Sequence, residues 1–466
     1  MRQTRGLFVV LVLTLLASGA AGQEAAEIDR YGGWMGAKTA ATGWFRAARA
    51  EGRWWLVDPE GHRFLSVGVN TVSFRQDTIR GTNRSPYGET TREKYGRLEA
   101  WAEAAVERLW GWGFNTLGAW CDRATWGWGM PYTVILHFAD AVRLGEGQTF
   151  PDVFDPAYDA AVRRLARRAC GPLAGDPNLI GYFTDNELRW GPDWRSPETL
   201  FEEFLRLPDE APGRRALLGF LEDRHLNISE LNEGWRTSYA SFTQVGRIPQ
   251  VGSHIPDSDK DDFLRAVALR YFNVTREAIR SVDEHHLVLG CRFAGYAPEA
   301  VLEAMSDHVD VVSLNHYDVH PPAAMLREIH RATGRPVMIT EFSFRGRDSG
   351  LPNAKGAGVV VNTQEERAEH FERYVKELVA LPMVVGYHWF EHADQPAEGR
   401  FDGENSNYGL VDIRDDPYRV LVEAMARVNG SVYELAVAGG GVLKAVGNER
   451  RGGQRQTRNA RSRPGR

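Results

Sequence analysis

Hydrophobic and polar positions follow a repeating order along the chain, in which short apolar runs are separated by longer amphipathic stretches. Eight apolar runs lie at 64–70, 114–120, 132–138, 179–187, 286–293, 310–317, 335–342 and 383–390. Within the runs the apolar residues are mostly consecutive rather than alternating with polar ones, which is typical of parallel strands that are buried on both faces. Most of the intervening stretches have apolar residues at three- and four-residue spacing, the spacing of helices. Eight such units predict an α/β fold of the (β/α)8 TIM barrel type.

The boundaries of this barrel follow from the same pattern. A doubly wound open sheet is the competing fold, but SVGVNTVS after the first run lacks the G-x-G-x-x-G phosphate loop. We predict the catalytic barrel at 61–435, with a small β-rich N-terminal lead-in at 27–60 that closes its floor. The gap between strands 4 and 5 is far longer than ordinary loops, so we predict a large insertion there that shapes the active face.

The two ends of the chain are predicted to lie outside the folded barrel. Arg2 and Arg5 precede an apolar run at 7–17, and small residues follow through Gly22, which is typical of a signal peptide at 1–22. This run is too short for a stable membrane anchor, so a secreted or periplasmic protein is expected. The segment 448–466 holds seven Arg and one Glu without apolar periodicity, which predicts a basic disordered tail.

Charge and cysteine content exclude several classes of function. The chain carries a formal net charge of −6, and without its two basic ends the body is near −14. Nucleic acid is therefore a poor partner, because phosphate binding needs a basic face. Cys121, Cys170 and Cys291 are too few and scattered for a disulfide framework or a zinc cluster.

One string could be taken as a metal motif. HWFEH at 388–392 fits H-x-x-E-H, but that motif needs a helix to bring both histidines to one zinc ion. The surrounding MVVGYHWF reads as a strand, so no metal and no cofactor are expected. Nothing in the pattern indicates a particular oligomeric state.

Carboxylates stand at two of the predicted strand ends. The fourth run ends in Asp185, Asn186 and Glu187, and the seventh ends in Glu341. In a barrel these ends face each other across the mouth, where a surface salt bridge is the alternative for either Glu alone. A pair of carboxylates in such a mouth suits glycoside hydrolysis, with a carbohydrate as the substrate.

Several motifs resemble a known enzyme family. Asn186-Glu187 with Glu341 resembles the clan A retaining glycoside hydrolases. The strings WWLVDPEGHRFLSVGVN, FPDVFDP, GYFTDNE and GYHWFEHADQPAEGRFDGENSNYGLVDIRDDPY are similar to the family 50 β-agarases, from about Trp54 to about Glu434. The resemblance implies Glu187 as acid/base, Glu341 as nucleophile, and cleavage of β-linked galactose-type polysaccharide or oligosaccharide by double displacement.

Chemistry and resemblance together suggest substrate-binding residues around this pair. Asn186 is expected to donate to a sugar 2-hydroxyl, Tyr317 to hold the nucleophile, and Trp389 to offer a flat face to a sugar ring. Barrel-core packing is the alternative for the two aromatic residues. The remaining candidates are strand-end or last-loop residues, namely His316, Asn70, Arg292, Glu404 and Asn405.

Two further expectations concern charge near the pair. Side chains alternate along a strand, so Asp185 should share the face of Glu187 and raise a carboxyl pKa there; pairing of Asp185 with an arginine is the alternative. Arg345 and Arg347, in EFSFRGRDSG after the nucleophile, depart from the family pattern and suggest recognition of acidic or sulfated galactans. Pairing of these arginines with acidic neighbours is the alternative.

Other functions remain open at this point. The chain could be an exported, non-catalytic carbohydrate-binding barrel, or a β-galactosidase or other clan A glycosidase that acts on a different sugar. A metal hydrolase on the same barrel is the third class. Hydrolysis of an aryl β-glycoside would exclude the binding protein, and sensitivity to a chelator would reveal the metal enzyme.

Overall fold

A computed structural model describes residues 27–247 and 254–439 of the chain. The predicted signal peptide at 1–22 and the predicted tail at 448–466 lie outside the described residues. Within those two ranges, no helix has both the length and the apolar character required to cross a membrane.

The N-terminal part of the described chain is a small antiparallel sheet. Its strand order is β1-β4-β3-β2, with β1 at Trp34–Lys38, β2 at Arg46–Ala50, β3 at Arg53–Val57 and β4 at His62–Phe64. The turn between β3 and β4 is built on Asp58, whose Oδ1 accepts the backbone N–H groups of Glu60 and His62. Gly61 completes it at φ 95°, a conformation that favours glycine.

Nine parallel strands form the main sheet. In chain order they are β5 (Ser66–Val69), β6 (Thr116–Leu117), β7 (Tyr132–Ile135), β8 (Leu179–Phe183), β9 (Leu287–Val288), β10 (Phe293–Ala294), β11 (Val312–Asn315), β12 (Val337–Phe342) and β15 (Val384–Trp389). Across the sheet, neighbouring strands follow the order β10-β11-β12-β15-β5-β6-β7-β8-β9. A separate parallel pair consists of β13 (Arg345–Gly346) and β14 (Val360–Val361). Each of the eight predicted runs contains a strand of the main sheet.

The two outer strands of this sheet belong to one continuous run. The N–H of Leu289 donates to Tyr182 O at 2.8 Å, beside β8, and the N–H of Gly295 donates to Asn315 O at 2.9 Å, beside β11. The sheet is therefore curled, and its two ends meet at residues 287–294. The predicted fifth strand is split into β9 and β10 because Arg292 has φ 51° and Gly290 has φ 79°, which interrupt the extended backbone.

Helices connect most of the strands. They are α1 (Pro86–Tyr95), α2 (Leu98–Gly111), α3 (Arg123–Trp126), α4 (Pro156–Ala169), α5 (Leu200–Arg206), α6 (Pro212–Arg224), α7 (Ile228–Trp235), α8 (Asp257–Arg280), α9 (Glu299–Met305), α10 (Ala323–Thr333), α11 (Gln364–Val379) and α12 (Arg419–Gly430). Local sequence explains their ends: Asp155 caps α4 ahead of Pro156, and Gly334 ends α10 at φ 66°. Helices α5 to α8 all lie between β8 and β9, where the sequence predicts extra structure.

The N-terminal sheet packs against the interior of the main sheet. A shared apolar cluster joins Tyr31, Phe45, Leu56 and Phe64 to Ile180, Phe183, Leu287, Leu289, Val311, Met338 and Val385. Arg53 adds buried hydrogen bonds to the carbonyls of Val379 and Val384. Most of the strand residues in this cluster lie near the starts of their strands, so the opposite ends are left for a cleft.

Candidate active site

A cleft of about 870 Å³ lies at the carboxyl ends of the main-sheet strands. Both predicted catalytic carboxylates line it. The full lining is Thr71, Asp77, Trp120, Asn186, Glu187, Trp194, Tyr317, Glu341, Lys355, Gly356, Ala357, Phe390, Arg400, Phe401, Asp402, Glu404 and Tyr408. Parallel strands direct their carboxyl ends to one side, so residues that are far apart in sequence meet here.

Glu341, near the end of β12, is 6% exposed and has two strong partners. The Tyr317 hydroxyl donates to its Oε2 at 2.6 Å, and Arg292 Nη2 lies 2.8 Å from its Oε1. Burial raises the pKa of Glu341 to about 7, with the charge of Glu187 acting in the same direction and Arg292 and Tyr317 opposing it. The carboxylate is thus held in place by a cation and a hydroxyl while its basicity is increased.

Glu187 lies four residues beyond the end of β8 and is half-buried. Its backbone, at φ 51°, donates an N–H to Arg292 O at 3.1 Å, which fixes its position beside the split fifth strand. Its Oε1 accepts a hydrogen bond of 3.0 Å from the amide of Asn315, at the end of β11. Glu187 therefore lines the cleft while one of its carboxylate oxygens is anchored.

Arg292 connects the two carboxylate-bearing segments. Its Nη1 donates to Asn186 Oδ1 at 2.7 Å, and its Nη2 also donates to Thr340 O at 3.0 Å. The guanidinium is fully buried and lies 4.4 Å from the centre of the Trp120 ring. Since Asn186 Oδ1 faces this cation, its amide nitrogen is the group that is left to donate to a ligand.

Five of the predicted site residues thus form one network: Asn186, Glu187, Arg292, Tyr317 and Glu341. Glu404 lines the same cleft from the last loop. Its Oε2 accepts hydrogen bonds from Gln395 Nε2 at 3.0 Å and lies 2.8 Å from Arg400 Nη2.

Trp389 and Asn70 lie beneath the cleft rather than in its wall, so the sugar-stacking role expected for Trp389 is corrected. The Trp389 ring is fully buried, packs edge-on against Phe342 at 5.4 Å, and donates from Nε1 to Tyr408 O. Asn70 is also fully buried, and its amide bonds the backbone of Thr340 and Ala119. Both side chains support the strand ends from behind.

His316 and Asn405 likewise turn away from the cleft. The His316 ring lies 3.4 Å from the Tyr374 hydroxyl of α11, while its backbone N–H donates to Glu341 O. Asn405 Oδ1 accepts the N–H of Ala354 at 3.0 Å and so holds the neighbouring loop. These two residues position the wall of the cleft but do not line it.

Asp185 does not share the face of Glu187, contrary to the expectation from strand alternation. Its Oδ1 accepts the N–H of Ala139 at 3.0 Å, and the Tyr271 hydroxyl of α8 donates to its Oδ2. Burial raises the pKa of Asp185 to about 7. Alternation fails as a guide because β8 ends at Phe183 and Glu187 adopts a positive φ.

The two arginines after Glu341 do not face the cleft. Arg345 is 6% exposed and donates to Gly358 O at 2.7 Å and to Ser406 Oγ at 3.1 Å. Arg347 is exposed and is absent from the lining of the cleft. The expected recognition of acidic or sulfated sugars by these residues is therefore not supported, and Arg345 instead fastens a loop.

The side chains of the H-x-x-E-H string form hydrogen bonds and packing contacts with neighbouring residues. His388 Nε2 lies 2.8 Å from Ser66 Oγ, and the Glu391 carboxylate accepts the side-chain amides of Gln76 and Gln395. The His392 ring packs edge-on against aromatic neighbours at 6.0 Å. The segment begins in β15, in agreement with the strand prediction.

Sequence reasoning missed several residues of the cleft. Asn315 ends β11 in SLNHY, two residues before Tyr317. The criterion that selects polar residues at the ends of apolar runs could have included it. Asp77 and Arg400 come from loops without a strand signal, and burial raises the pKa of Asp77 to about 6. Phe390 and Trp194 add aromatic surface; Phe390 lies within HWFEH but is not among the predicted site residues, and Trp194 lies in none of the quoted motifs.

The chain is similar in sequence to known β-agarases. No protein-family model matches the chain. Beta-agarase B of Vibrio sp. (strain JT0107) is 28% identical over 87% of this chain and 50% of its own length. Beta-agarase A of the same strain is 30% identical over 82% of this chain and 45% of its own length. The chain thus spans about half the length of these relatives.

Solved structures agree with the sequence matches. An exo-β-agarase superposes with a TM-score of 0.79 and 25% identity, over 88% of this chain and 68% of that one. The crystal structure of another agarase gives a TM-score of 0.78 and 27% identity, over 89% and 68%. Together the comparisons show that the chain is homologous to β-agarases, which are glycoside hydrolases.

Proposed function

We propose that this chain is a retaining β-glycoside hydrolase that cleaves β-linked galactose-type polysaccharide or oligosaccharide. The homology to β-agarases supports the reaction class and the substrate class. The observation that carries the mechanism is the meeting of Glu187 and Glu341 in one cleft, with Arg292 bonded to Glu341 and to the neighbour of Glu187.

In the first step Glu341 attacks the anomeric carbon and forms a covalent glycosyl ester, while the glycosidic C–O bond breaks. Glu187 gives its proton to the departing oxygen, so the leaving sugar departs as a neutral alcohol. In the second step Glu187 takes a proton from water as the water oxygen bonds to the anomeric carbon, and the bond from that carbon to Glu341 breaks and releases the carboxylate. The anomeric configuration is retained, and both carboxyl groups return to their starting states.

The neighbours of Glu341 have separate roles in this scheme. The Arg292 charge and the Tyr317 hydroxyl favour the carboxylate form that attacks, against the desolvation that favours the acid. Asn186 donates to the sugar 2-hydroxyl, a contact that strengthens in the transition state. The geometry of the network supports these roles because each group is already oriented by a protein partner.

The remaining sequence expectations belong to the same proposal. We assign the curled sheet to a closed (β/α)8 barrel, supported by the hydrogen bonds of residues 287–294 to both neighbouring strands. Residues 27–60 are its floor, the segment between β8 and β9 is its insertion, and export follows from the N-terminal sequence. Because Asp77, Asp402 and Glu404 line the cleft around Arg400, neutral galactans fit it better than sulfated ones.

Release of reducing ends tests this proposal. Wild-type protein is incubated with agarose, agaro-oligosaccharides and an aryl β-galactoside, with and without EDTA, alongside Glu341→Gln and Glu187→Gln. We expect hydrolysis that EDTA does not affect, and a loss in Glu341→Gln of at least several orders of magnitude. Arg347→Ala, an exposed change near Glu341, is the matched control and should keep wild-type activity. Absence of hydrolysis of every β-galactoside, or loss of activity in EDTA, would contradict the proposal.

A further inference from the structure

A second cavity, of about 290 Å³, adjoins the catalytic cleft. We call it the side groove; its walls include Trp190, Trp194, Thr199, Lys260, Tyr296 and Pro298. Trp194 lines both the side groove and the cleft, so the two cavities share a wall. The groove is formed by the segment after Glu187, by the start of α8 and by the residues after β10.

Two aromatic side chains of the side groove are largely exposed to solvent. Trp194 is 72% exposed and Tyr296 is 65% exposed, although large aromatic side chains are usually buried. Lys260 and Asp261 supply polar groups among the lining residues. Flat aromatic faces beside a few polar groups match a hexose, which has apolar C–H faces and a rim of hydroxyls.

The segment that carries Trp194 is fastened to the catalytic residues. Arg195 Nη1 donates to the backbone oxygen of Glu187 at 2.8 Å, and its guanidinium lies 4.6 Å from the centre of the Trp194 ring. At the base of the segment, Arg189 and Glu203 form a buried ion pair of 2.7 Å. The aromatic wall is therefore held by the backbone of the proposed acid.

The position of the side groove determines which part of a bound glycan would contact it, the part before or the part after the scissile bond. Glu187 protonates the departing oxygen, so sugars on the leaving-group side lie on the Glu187 side of the cleft. The lining of the groove includes Leu188, directly after Glu187 in the chain, and Trp194 lines both the groove and the cleft. A chain that leaves the cleft past Glu187 therefore meets Trp194 first.

We infer that the side groove is an additional binding site for the same β-linked galactan, on the leaving-group side of the scissile bond. Tyr296 and Trp194 stack against sugar rings there, and polar side chains such as Lys260 bond the hydroxyls. The inference rests on the proposed function for the direction of the chain. It makes cleavage depend on how far the substrate extends beyond the scissile bond.

Chain-length kinetics test this inference. We compare kcat/KM of wild-type protein for an aryl β-galactoside with that for galactan oligosaccharides of increasing length on the reducing-end side. We expect a gain of roughly tenfold or more as the substrate reaches the groove, equivalent to about 1.4 kcal/mol. Tyr296→Ala should lose most of this gain, and Tyr296→Phe, which keeps the ring, should retain it. Trp128→Ala removes an exposed Trp outside both cavities and serves as the control.

A binding measurement separates this inference from the proposed function. Glu341→Gln protein is titrated by calorimetry with an agaro-hexaose, alone and combined with Tyr296→Ala or Trp128→Ala. Binding that is roughly tenfold weaker in the variant with Tyr296→Ala, and unchanged in the variant with Trp128→Ala, supports a binding site in the side groove. Equal binding in all three proteins overturns the groove, even if wild-type protein hydrolyses the aryl substrate. Groove-dependent binding without any hydrolysis would instead contradict only the proposed function.

Discussion

Arg292 shows how much of the candidate chemistry depends on one side chain. It is fully buried, and its charge is compensated by Glu341 at 2.8 Å and shared with the Asn186 oxygen at 2.7 Å. A buried cation without a partner would be strongly destabilising, so the guanidinium and Glu341 constrain each other. The attack geometry therefore depends on residues from three different strand ends.

The pH dependence of activity follows from the surroundings of Glu341. Its pKa is raised to about 7 by burial, and in the proposed mechanism only the ionised carboxylate attacks. Activity should therefore be lost as pH falls through about 7. Tyr317→Phe removes a hydroxyl that stabilises the carboxylate, so the pKa should rise further and the acid limb of kcat/KM should move up by about one unit.

A matched tyrosine provides the control for this pH profile. Tyr374→Phe removes a buried hydroxyl that contacts His316 but not Glu341. Its acid limb should coincide with that of wild-type protein. An unchanged limb in Tyr317→Phe, or equal shifts in both variants, would mean that the Tyr317–Glu341 hydrogen bond does not control the titration.

The residues of the candidate site were only partly predictable from sequence. Glu187, Glu341 and Tyr317 were found because polar residues at the ends of apolar runs meet at one edge of a parallel sheet. Trp389 and Asn70 sit at equivalent ends but point beneath the cleft. The direction of a strand-end side chain depends on local φ and ψ values, which an apolar run does not encode.

Among the connecting segments, the loop at 353–358 forms part of the cleft wall and is fastened by Arg345. The buried guanidinium bonds Gly358 O and Ser406 Oγ, and its deletion removes a charged donor from both groups. Arg345→Ala should lower the free energy of unfolding by roughly 1.5–3 kcal/mol, the range for charged hydrogen bonds. It should also reduce kcat/KM, because Lys355 and Gly356 lose their support.

Arg347 lies two residues away and is exposed, which makes it the natural control for Arg345. Arg347→Ala should change the free energy of unfolding by less than about 0.5 kcal/mol, as exposed substitutions usually do. Urea unfolding of both variants measures the difference. Comparable losses of stability in the two variants would contradict the structural difference between these arginines, and faster cleavage of sulfated galactan that depends on Arg347 would restore a substrate-binding role.

Strands were easier to predict than connections. Continuous apolar runs identified the segments of all the main-sheet strands, because burial on both faces leaves that signature. The split of the fifth run was not predictable, since Arg292 at φ 51° is a conformation that tertiary contacts impose. Trp194 and Arg400 likewise come from irregular segments whose course is set by packing rather than by periodicity.

At the scale of the whole molecule, the N-terminal sheet and the main sheet share one apolar cluster. Phe45 is 1% exposed, belongs to this shared cluster, and packs edge-on against Phe64 of the N-terminal sheet at 5.0 Å. Phe45→Ala should cost about 3–5 kcal/mol of unfolding free energy. Because the cluster is shared, denaturation followed by fluorescence and by circular dichroism should show one common transition.

The exposed Ile28 provides the comparison for Phe45. Ile28→Ala should leave the unfolding midpoint almost unchanged. Two separate transitions in wild-type protein, or a loss below about 1 kcal/mol in Phe45→Ala, would show that the N-terminal sheet is an independent unit rather than part of one core.

In the proposed mechanism Glu341 forms a covalent bond to the sugar while Glu187 assists. An activated 2-deoxy-2-fluoro-β-galactoside slows the second step, so the glycosyl ester should accumulate and be located by peptide mass spectrometry. We predict one fluorosugar per chain, attached to the peptide that contains Glu341, and no adduct in Glu341→Gln. An adduct on Glu187 or elsewhere, or turnover that yields the inverted anomer, would contradict the account.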